Sequence, residues 1–217
     1  MRNHVSFDPY HHLGLKRNPF FAPESLVIGA DRWLDFGYSV APSPKQQLFI
    51  QIIGQKGAGK TSHLLHWQQQ TGGEYFYQPP WNWRPHLPIG AIAYWDEANR
   101  IPLPRLMVAL WQAYRQGATI VAASHWDLKP MAQMMGFPVK TLHLATLNPD
   151  SLQAWIQVQL SSEQLFPDKP VVLPLAAHEV AEVIDYSQGS WRAASSYLHR
   201  WLAQQAREQH STSLHGQ

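Results

Sequence analysis

The run Gly54-Gln55-Lys56-Gly57-Ala58-Gly59-Lys60-Thr61 fits the spacing G-x-x-x-x-G-K-[ST]. Residues of these types at this spacing hold phosphate. Glycines let successive backbone N–H groups turn inward onto anionic oxygens. A helix opening near Lys60 adds the positive end of its dipole. Lys60 has the reach and charge for the β- and γ-phosphates of a nucleotide, and the Thr61 hydroxyl is a ligand type suited to Mg²⁺. Gly54 to Ser62 is therefore the candidate nucleotide site. A second chemical anchor is Gly90-Ala91-Ile92-Ala93-Tyr94-Trp95-Asp96-Glu97, an apolar run that ends in two acids. Asp96 at a strand tip would hold Mg²⁺, and Glu97 would polarise an attacking water as general base. A third is Ser124, a polar residue at the end of the apolar run Ala118 to Ala123.

These groups need a frame. Leu48 to Ile53 has the length and apolar character of a buried strand, and Ser62 to Trp67 continues at helical spacing. Strand, glycine loop and helix are the context in which the phosphate pattern counts; a glycine-rich turn that binds nothing is the alternative. Thr71-Gly72-Gly73 stops that helix. Glu74 to Gln78 reads as a second strand, Gly90 to Glu97 as a third, Ala118 to Ala123 as a fourth and Val139 to Leu144 as a fifth. Leu103 to Tyr114 is helical, and a short helix is expected over Asp31 to Phe36. Five short strands joined by helices or loops predict an α/β fold with a parallel sheet. Pro79 to Ile89 carries four prolines, so no helix runs through it. Trp81, Trp83 and Arg84 there either form an exposed partner or nucleic-acid surface, or cover the sheet edge in place of a missing helix.

At Asn148-Pro149-Asp150 the pattern becomes helical, with Asn148 as N-cap and Pro149 as first helical residue. A second helix is expected over Pro174 to Ser187, and a third after Gly189 with Ser190 as cap. The expected organisation is a core with an N-terminal arm over 1–147, a helical lid over 148–206, and a frayed polar tail over 207–217. Tyr10-His11-His12 reads as solvated or packed histidines rather than a metal site.

The chain has 217 residues, 45% of them hydrophobic, and a formal net charge of +2. That composition is globular. With no cysteine there is no disulfide framework or thiolate metal site, which fits a reducing compartment. No signal-peptide pattern or bilayer-length apolar run is present, so a soluble cytoplasmic protein without membrane partners is expected. The charge is too small to argue for nucleic acid by itself.

In the order of its motifs the chain resembles the AAA+ P-loop ATPases, particularly the initiator-like and transposition-regulator branch. Asn18-Pro19-Phe20 looks like the N-terminal box of that family, which places Asn18 and Phe20 at the adenine base. Gly54 to Thr61 looks like its Walker A, Asp96-Glu97 its Walker B, Ser124 its sensor 1, and Gly189-Ser190-Trp191-Arg192 its sensor 2. The resemblance implies sheet order 5-1-4-3-2, bound ATP and Mg²⁺, Lys60, Glu97, Ser124 and Arg192 as the groups acting on the γ-phosphate, and a nucleotide-dependent oligomer. The chain departs from the family between Ser124 and the fifth strand, where Lys129 is the only cation other than histidine and many relatives carry an arginine finger. Arg100, Arg105 and Arg115 are the substitutes on offer. Three functions follow: an ATP-hydrolysing switch acting on a protein or DNA partner, a nucleotide-bound adaptor with little turnover, and a P-loop small-molecule kinase. The kinase reading explains neither Glu97 nor Arg192. A GTPase lacks support because no Asn-Lys-x-Asp is present.

Overall fold

In a computed structural model, the described residues are 9–20, 32, 34, 40–173 and 175–215, with backbone alone from 209 onward. The helix expected over Asp31 to Phe36 lies outside them, apart from Arg32 and Leu34. The chain divides into two compact units.

The first is a sheet unit. Its strands are β1 (Phe49–Ile53), β2 (Glu74–Tyr77), β3 (Ile92–Asp96), β4 (Thr119–Ser124) and β5 (Val139–His143), and its helices are α1 (Lys60–Thr71), α2 (Leu103–Arg115) and α3 (Lys129–Met134). All four strand pairings are parallel and the order is β2-β3-β4-β1-β5, as expected. β3 and β4 are buried along their whole length, which is why they read as continuous apolar runs rather than alternating ones. On one face, Phe49, Ala93, Trp95, Ile120 and Ala122 pack under Leu106, Leu110 and Ala113 of α2 and Ala132 of α3. On the other, Ile50, Ile52, Tyr94 and Val121 pack under Leu64 and Trp67 of α1. α3 has no counterpart in the sequence reading. Six residues are too few to show a periodic stripe, and Pro130 in its first turn is equally a loop signal.

One polar side chain sits at the centre of the sheet. Gln51 on β1 is fully buried. Its Nε2 donates to Asp127 Oδ1 (2.6 Å) and Thr141 Oγ1 (2.8 Å), and its Oε1 accepts from Leu128 N (2.8 Å). These bonds fix the segment that enters α3 against β1 and β5, and the Gln51 amide is the first cause holding the Asp127 carboxyl below its usual range.

The crossover between β2 and β3 divides its labour. Leu87 and Ile89 join the core on the α2 face, and Trp95 Nε1 donates to Pro88 O (3.0 Å). Its second half thus covers the sheet where a helix would otherwise lie. Trp81 and Trp83 do not: they are 84% and 74% exposed. Of the two readings of these tryptophans, edge covering fails, because shorter apolar residues do that work.

The second unit is helical. It contains α4 (Pro149–Ser162), α5 (Ala177–Ser187) and α6 (Trp191–His215). Asn148 caps α4 as expected: its Oδ1 accepts from Ser151 N (2.8 Å), and Ser151 Oγ accepts from Asn148 N (3.0 Å). Ser190 caps α6 through its Oγ, which accepts from Ala193 N (3.3 Å). The core is Leu152, Ile156, Leu160, Val183, Leu198 and Leu202, together with Leu15 and Phe20 from the N-terminal stretch.

That last point corrects the expected organisation. The arm over 9–20 groups with the helical unit instead of the sheet. A 3-10 turn over Pro9–Leu13 leads into Leu15, which is fully buried and pairs with Gln164 in an antiparallel bridge. Leu165 N donates to Gly14 O (2.8 Å), and Lys16 N to Glu163 O (2.8 Å). The buried Glu163 carboxylate binds both Arg17 (2.8 Å) and Arg32 (3.1 Å). The tail also differs: α6 continues to His215, past the expected break at 207. Its residues are polar but helix-compatible, and without Gly or Pro until Gly216 nothing stops the helix. α5 starts at Ala177, three residues beyond the expected Pro174, which lies outside the described residues.

Candidate nucleotide site

The glycine loop joins β1 to α1 at the edge where all five parallel strands end. In open α/β sheets that edge is where ligands bind. Gly57 and Gly59 take φ +84° and +93°, conformations that L side chains rarely adopt, and Gly59 forms the N-cap of α1 without a side-chain cap. A Cβ on Gly54 would come within 3.1 Å of Ala58 Cβ and 3.3 Å of Leu144 Cβ. The loop therefore needs its glycines for shape, whatever it binds.

Lys60 is buried rather than solvent-facing. It is 6% exposed, and its Nζ donates to Gly54 O (2.7 Å) and Gln55 O (2.9 Å), folding back over the loop. Burial lowers its pKa; the carboxylates of Glu97 and Asp96 act in the opposite sense.

Thr61 follows in the first turn of α1, and its Oγ1 donates to Asp96 Oδ2 (2.8 Å). Asp96 ends β3 at 1% exposure. The same Oδ2 accepts from Tyr75 Oη (2.8 Å), while Oδ1 accepts from Glu97 N (2.9 Å). Burial first, and then the Asp96 charge, push the Tyr75 hydroxyl far above its usual range, so it stays a donor. A hydroxyl and one carboxylate converging beside a phosphate-type loop suit Mg²⁺, which takes one or two carboxylates and completes its shell with phosphate oxygens and water. Among the described residues no group of three or more His, Cys, Asp or Glu could hold a metal by itself. The donor set fits a metal that arrives with its nucleotide.

Glu97 stands at φ +54°, ψ +39°, a left-handed conformation uncommon for a residue other than glycine. It opens the 3-10 turn Ala98–Arg100. Its Oε2 accepts no hydrogen bond but lies 3.4 Å from Arg100 Nε and 3.6 Å from His125 Nε2. Arg100 also donates from Nη1 to Tyr77 Oη (3.1 Å). Arg100 is thus engaged with its own chain's Glu97. Arg115 lies over the Trp111 ring, with Cζ 5.6 Å from the centroid.

Ser124 is fully buried at the end of β4, level with Ile53 of β1, the residue before the loop. Its Oγ accepts from Trp126 N (3.0 Å), and the next backbone amide, His125 N, donates to Asn99 Oδ1 (3.1 Å).

The sheet unit thus brings Lys60, Thr61, Asp96, Glu97 and Ser124 to one edge. Asn18, Phe20 and Arg192 belong to the helical unit. Asn18 is 5% exposed: its Nδ2 donates to His199 O (3.0 Å) and Tyr10 Oη (3.2 Å), and its Oδ1 accepts from Phe20 N (3.1 Å). Phe20 is 2% exposed, with its ring centroid 5.6 Å from that of Trp155. Arg192 is exposed in the first turn of α6. Sequence reasoning missed Tyr75 and His125 as neighbours of the two acids. Tyr75 reaches Asp96 only because β2 pairs with β3, Tyr77 opposite Asp96, and no local pattern encodes that register.

No protein-family model matches the chain, and no curated protein matches it. Solved structures do. The RuvB Holliday junction branch migration motor of Thermotoga maritima matches 70% of this chain at 16% identity, with a TM-score of 0.47. A mutant of the same RuvB also matches 70%, at 14% identity and a TM-score of 0.50. What this likeness shows is the fold, a five-stranded parallel α/β sheet with helices of the kind found in RuvB. Identities this low speak for the fold alone. The chain spans about half the length of these structures, 53% and 54% of them. Among the described residues no helix is long and apolar enough to cross a membrane.

Proposed function

We propose that this chain binds ATP with Mg²⁺ and hydrolyses it, as an AAA+-type switch that acts on a protein or DNA partner. The observation that carries the reading is the Thr61–Asp96 contact of 2.8 Å at the mouth of the glycine loop, with Glu97 the next residue. Loop amides and Lys60 would hold the phosphates, and Thr61 and Asp96 the Mg²⁺, which would neutralise charge on the transferred phosphoryl group. Glu97 is the general base in this scheme. Ser124 and Arg192 are proposed to sense the γ-phosphate, Arg192 from the lid. Since their side chains are already engaged, Asn18 and Phe20 act by fixing the N-terminal segment of the helical unit. Nucleotide-dependent assembly and a cytoplasmic location belong to the same proposal.

The adaptor reading has one observation of its own. Arg100 and His125 draw the Glu97 carboxylate to 3.4 and 3.6 Å, which would hold back a base. Single-turnover hydrolysis at saturating ATP, and again with GTP, separates the two. The switch reading expects Glu97→Gln to keep ATP affinity within a few-fold and to lose about 10²–10⁴ in rate. A parent as slow as Glu97→Gln establishes the adaptor.

A further inference from the structure

The exposed tryptophans of the β2–β3 crossover have no part in the nucleotide site or in the core. The turn that carries them is nonetheless built. Gln78, itself fully buried, donates through Nε2 to Pro79 O (3.0 Å) and Asn82 O (2.7 Å). Asn82 N donates to Pro79 O (3.3 Å), and Asn82 Oδ1 accepts from Arg84 N (3.2 Å). Trp81 and Trp83 flank the clamped Asn82, 84% and 74% exposed, with Arg84 exposed beside them. Two indoles held in water by a buried clamp cost hydration free energy with no packing return in this chain.

The surrounding charge says what would cover them. Between Tyr75 and Trp126 the chain has two carboxylates, Asp96 and Glu97; the exposed Glu74 and Asp127 lie just outside that stretch, and Asp127 Oδ1 already accepts from Gln51 Nε2 and Lys129 N. The first two belong to the nucleotide site, Asp96 at 1% exposure and the Glu97 side chain at 18%. The turn itself carries Arg84, while Arg100 of the same stretch is engaged by Glu97 and Arg115 lies over Trp111. Trp126, 66% exposed, leaves β4 at the same sheet edge, two strand spacings or about 10 Å from the end of β2. Aromatic faces beside Arg84, with no exposed carboxylate in the turn that carries them, match a strand that offers base faces and phosphates together. Duplex DNA hides its base faces in the stack, so the match is to a single strand.

We propose that Trp81, Trp83 and Arg84 form a binding surface for single-stranded nucleic acid, the two indoles stacking on bases and the guanidinium meeting phosphate. This names a partner class for the switch proposed above and rests on that reading only for the word partner; the surface binds whether or not ATP is turned over.

The test is fluorescence anisotropy of a labelled oligothymidylate of about 16 nucleotides with the full chain, without nucleotide, between about 50 and 200 mM salt. The expected result is binding at low salt that Trp81→Ala/Trp83→Ala weakens at least tenfold and Trp81→Phe/Trp83→Phe largely restores. Arg84→Ala should reduce the salt slope by about 0.7. Calorimetric ATP affinity of the double alanine variant is expected to equal that of the parent, which keeps failure here distinct from failure of the nucleotide reading. No binding at low salt, equal binding by the double alanine variant, or equal affinity for the duplex of the same length overturns the proposal. So does a protein partner that the double alanine variant loses while the oligonucleotide is not bound at all.

Discussion

At the site, single atoms serve more than one partner. Lys60 Nζ spans two loop carbonyls, so the loop and its lysine form one hydrogen-bonded unit. Lys60→Ala removes the cation and leaves those carbonyls next to water. ATP affinity should vanish in calorimetry while the circular dichroism spectrum is kept; equal affinity in mutant and parent would remove the nucleotide reading. Asp96 Oδ2 serves both Thr61 and Tyr75. Tyr75→Phe deletes one donor and nothing else from the site. A net hydrogen bond is worth about 1 kcal/mol, so ATP affinity measured with Mg²⁺ should fall roughly fivefold, and affinity measured in EDTA should not change. A fall of the same size in EDTA would show that Tyr75 serves the fold instead of the metal ligand.

Among the elements, β1 carries the phosphate loop at its end and Gln51 at its centre. The Gln51 amide ties it to β5 and to the entry of α3 with three hydrogen bonds. Gln51→Leu would strand the Leu128 amide in the interior and take away the donor that Thr141 Oγ1 accepts from. Leaving that buried donor unmade costs about 1–3 kcal/mol, so urea unfolding should show a loss on the order of 2 kcal/mol. Gln51→Glu, which can still accept from Leu128 N but puts a second carboxylate beside Asp127, should be no better. A variant as stable as the parent would mean that the amide contributes only local order. The β2–β3 crossover teaches the converse lesson. Its apolar residues Leu87 and Ile89 are inside while its largest, Trp81 and Trp83, are outside, on the turn that the buried Gln78 holds through Asn82 O.

At the scale of the whole molecule, the helical unit is assembled from both ends of the chain. Leu15 and Phe20 close a core whose other members come after residue 147. Leu15 is fully buried, and Leu→Ala at such a position typically costs about 3–5 kcal/mol. Leu15→Ala should therefore lower the melting of the helical unit while ATP affinity at the sheet unit is kept. A variant that loses ATP affinity and leaves helical melting unchanged would assign Leu15 to the wrong unit. Saturating MgATP should stabilise the parent by about 2.7 kcal/mol at a hundred times Kd, and Lys60→Ala not at all.

Much was legible in the sequence for a physical reason. Strands buried on both faces write themselves as apolar runs, so β1, β3 and β4 could be located from Ile, Val, Ala and Trp alone. Phosphate loops demand glycines at fixed spacing, so Gly54 to Thr61 declared itself. Asn148 and Ser190 act within one helical turn, and local action leaves a local signature. What the sequence left undecided is long-range. The partnership of Leu15 with Gln164, of Asn18 with His199 and of Arg17 and Arg32 with Glu163 spans more than a hundred residues, and it moved the N-terminal stretch from the sheet unit to the helical one. Strand register alone brings Tyr75 to Asp96, and the end of β4 alone brings His125 to Glu97. Spacing along the chain fixed which residues could do chemistry, while the pairing of strands, with a period of two and no local marker of register, decided which of them meet.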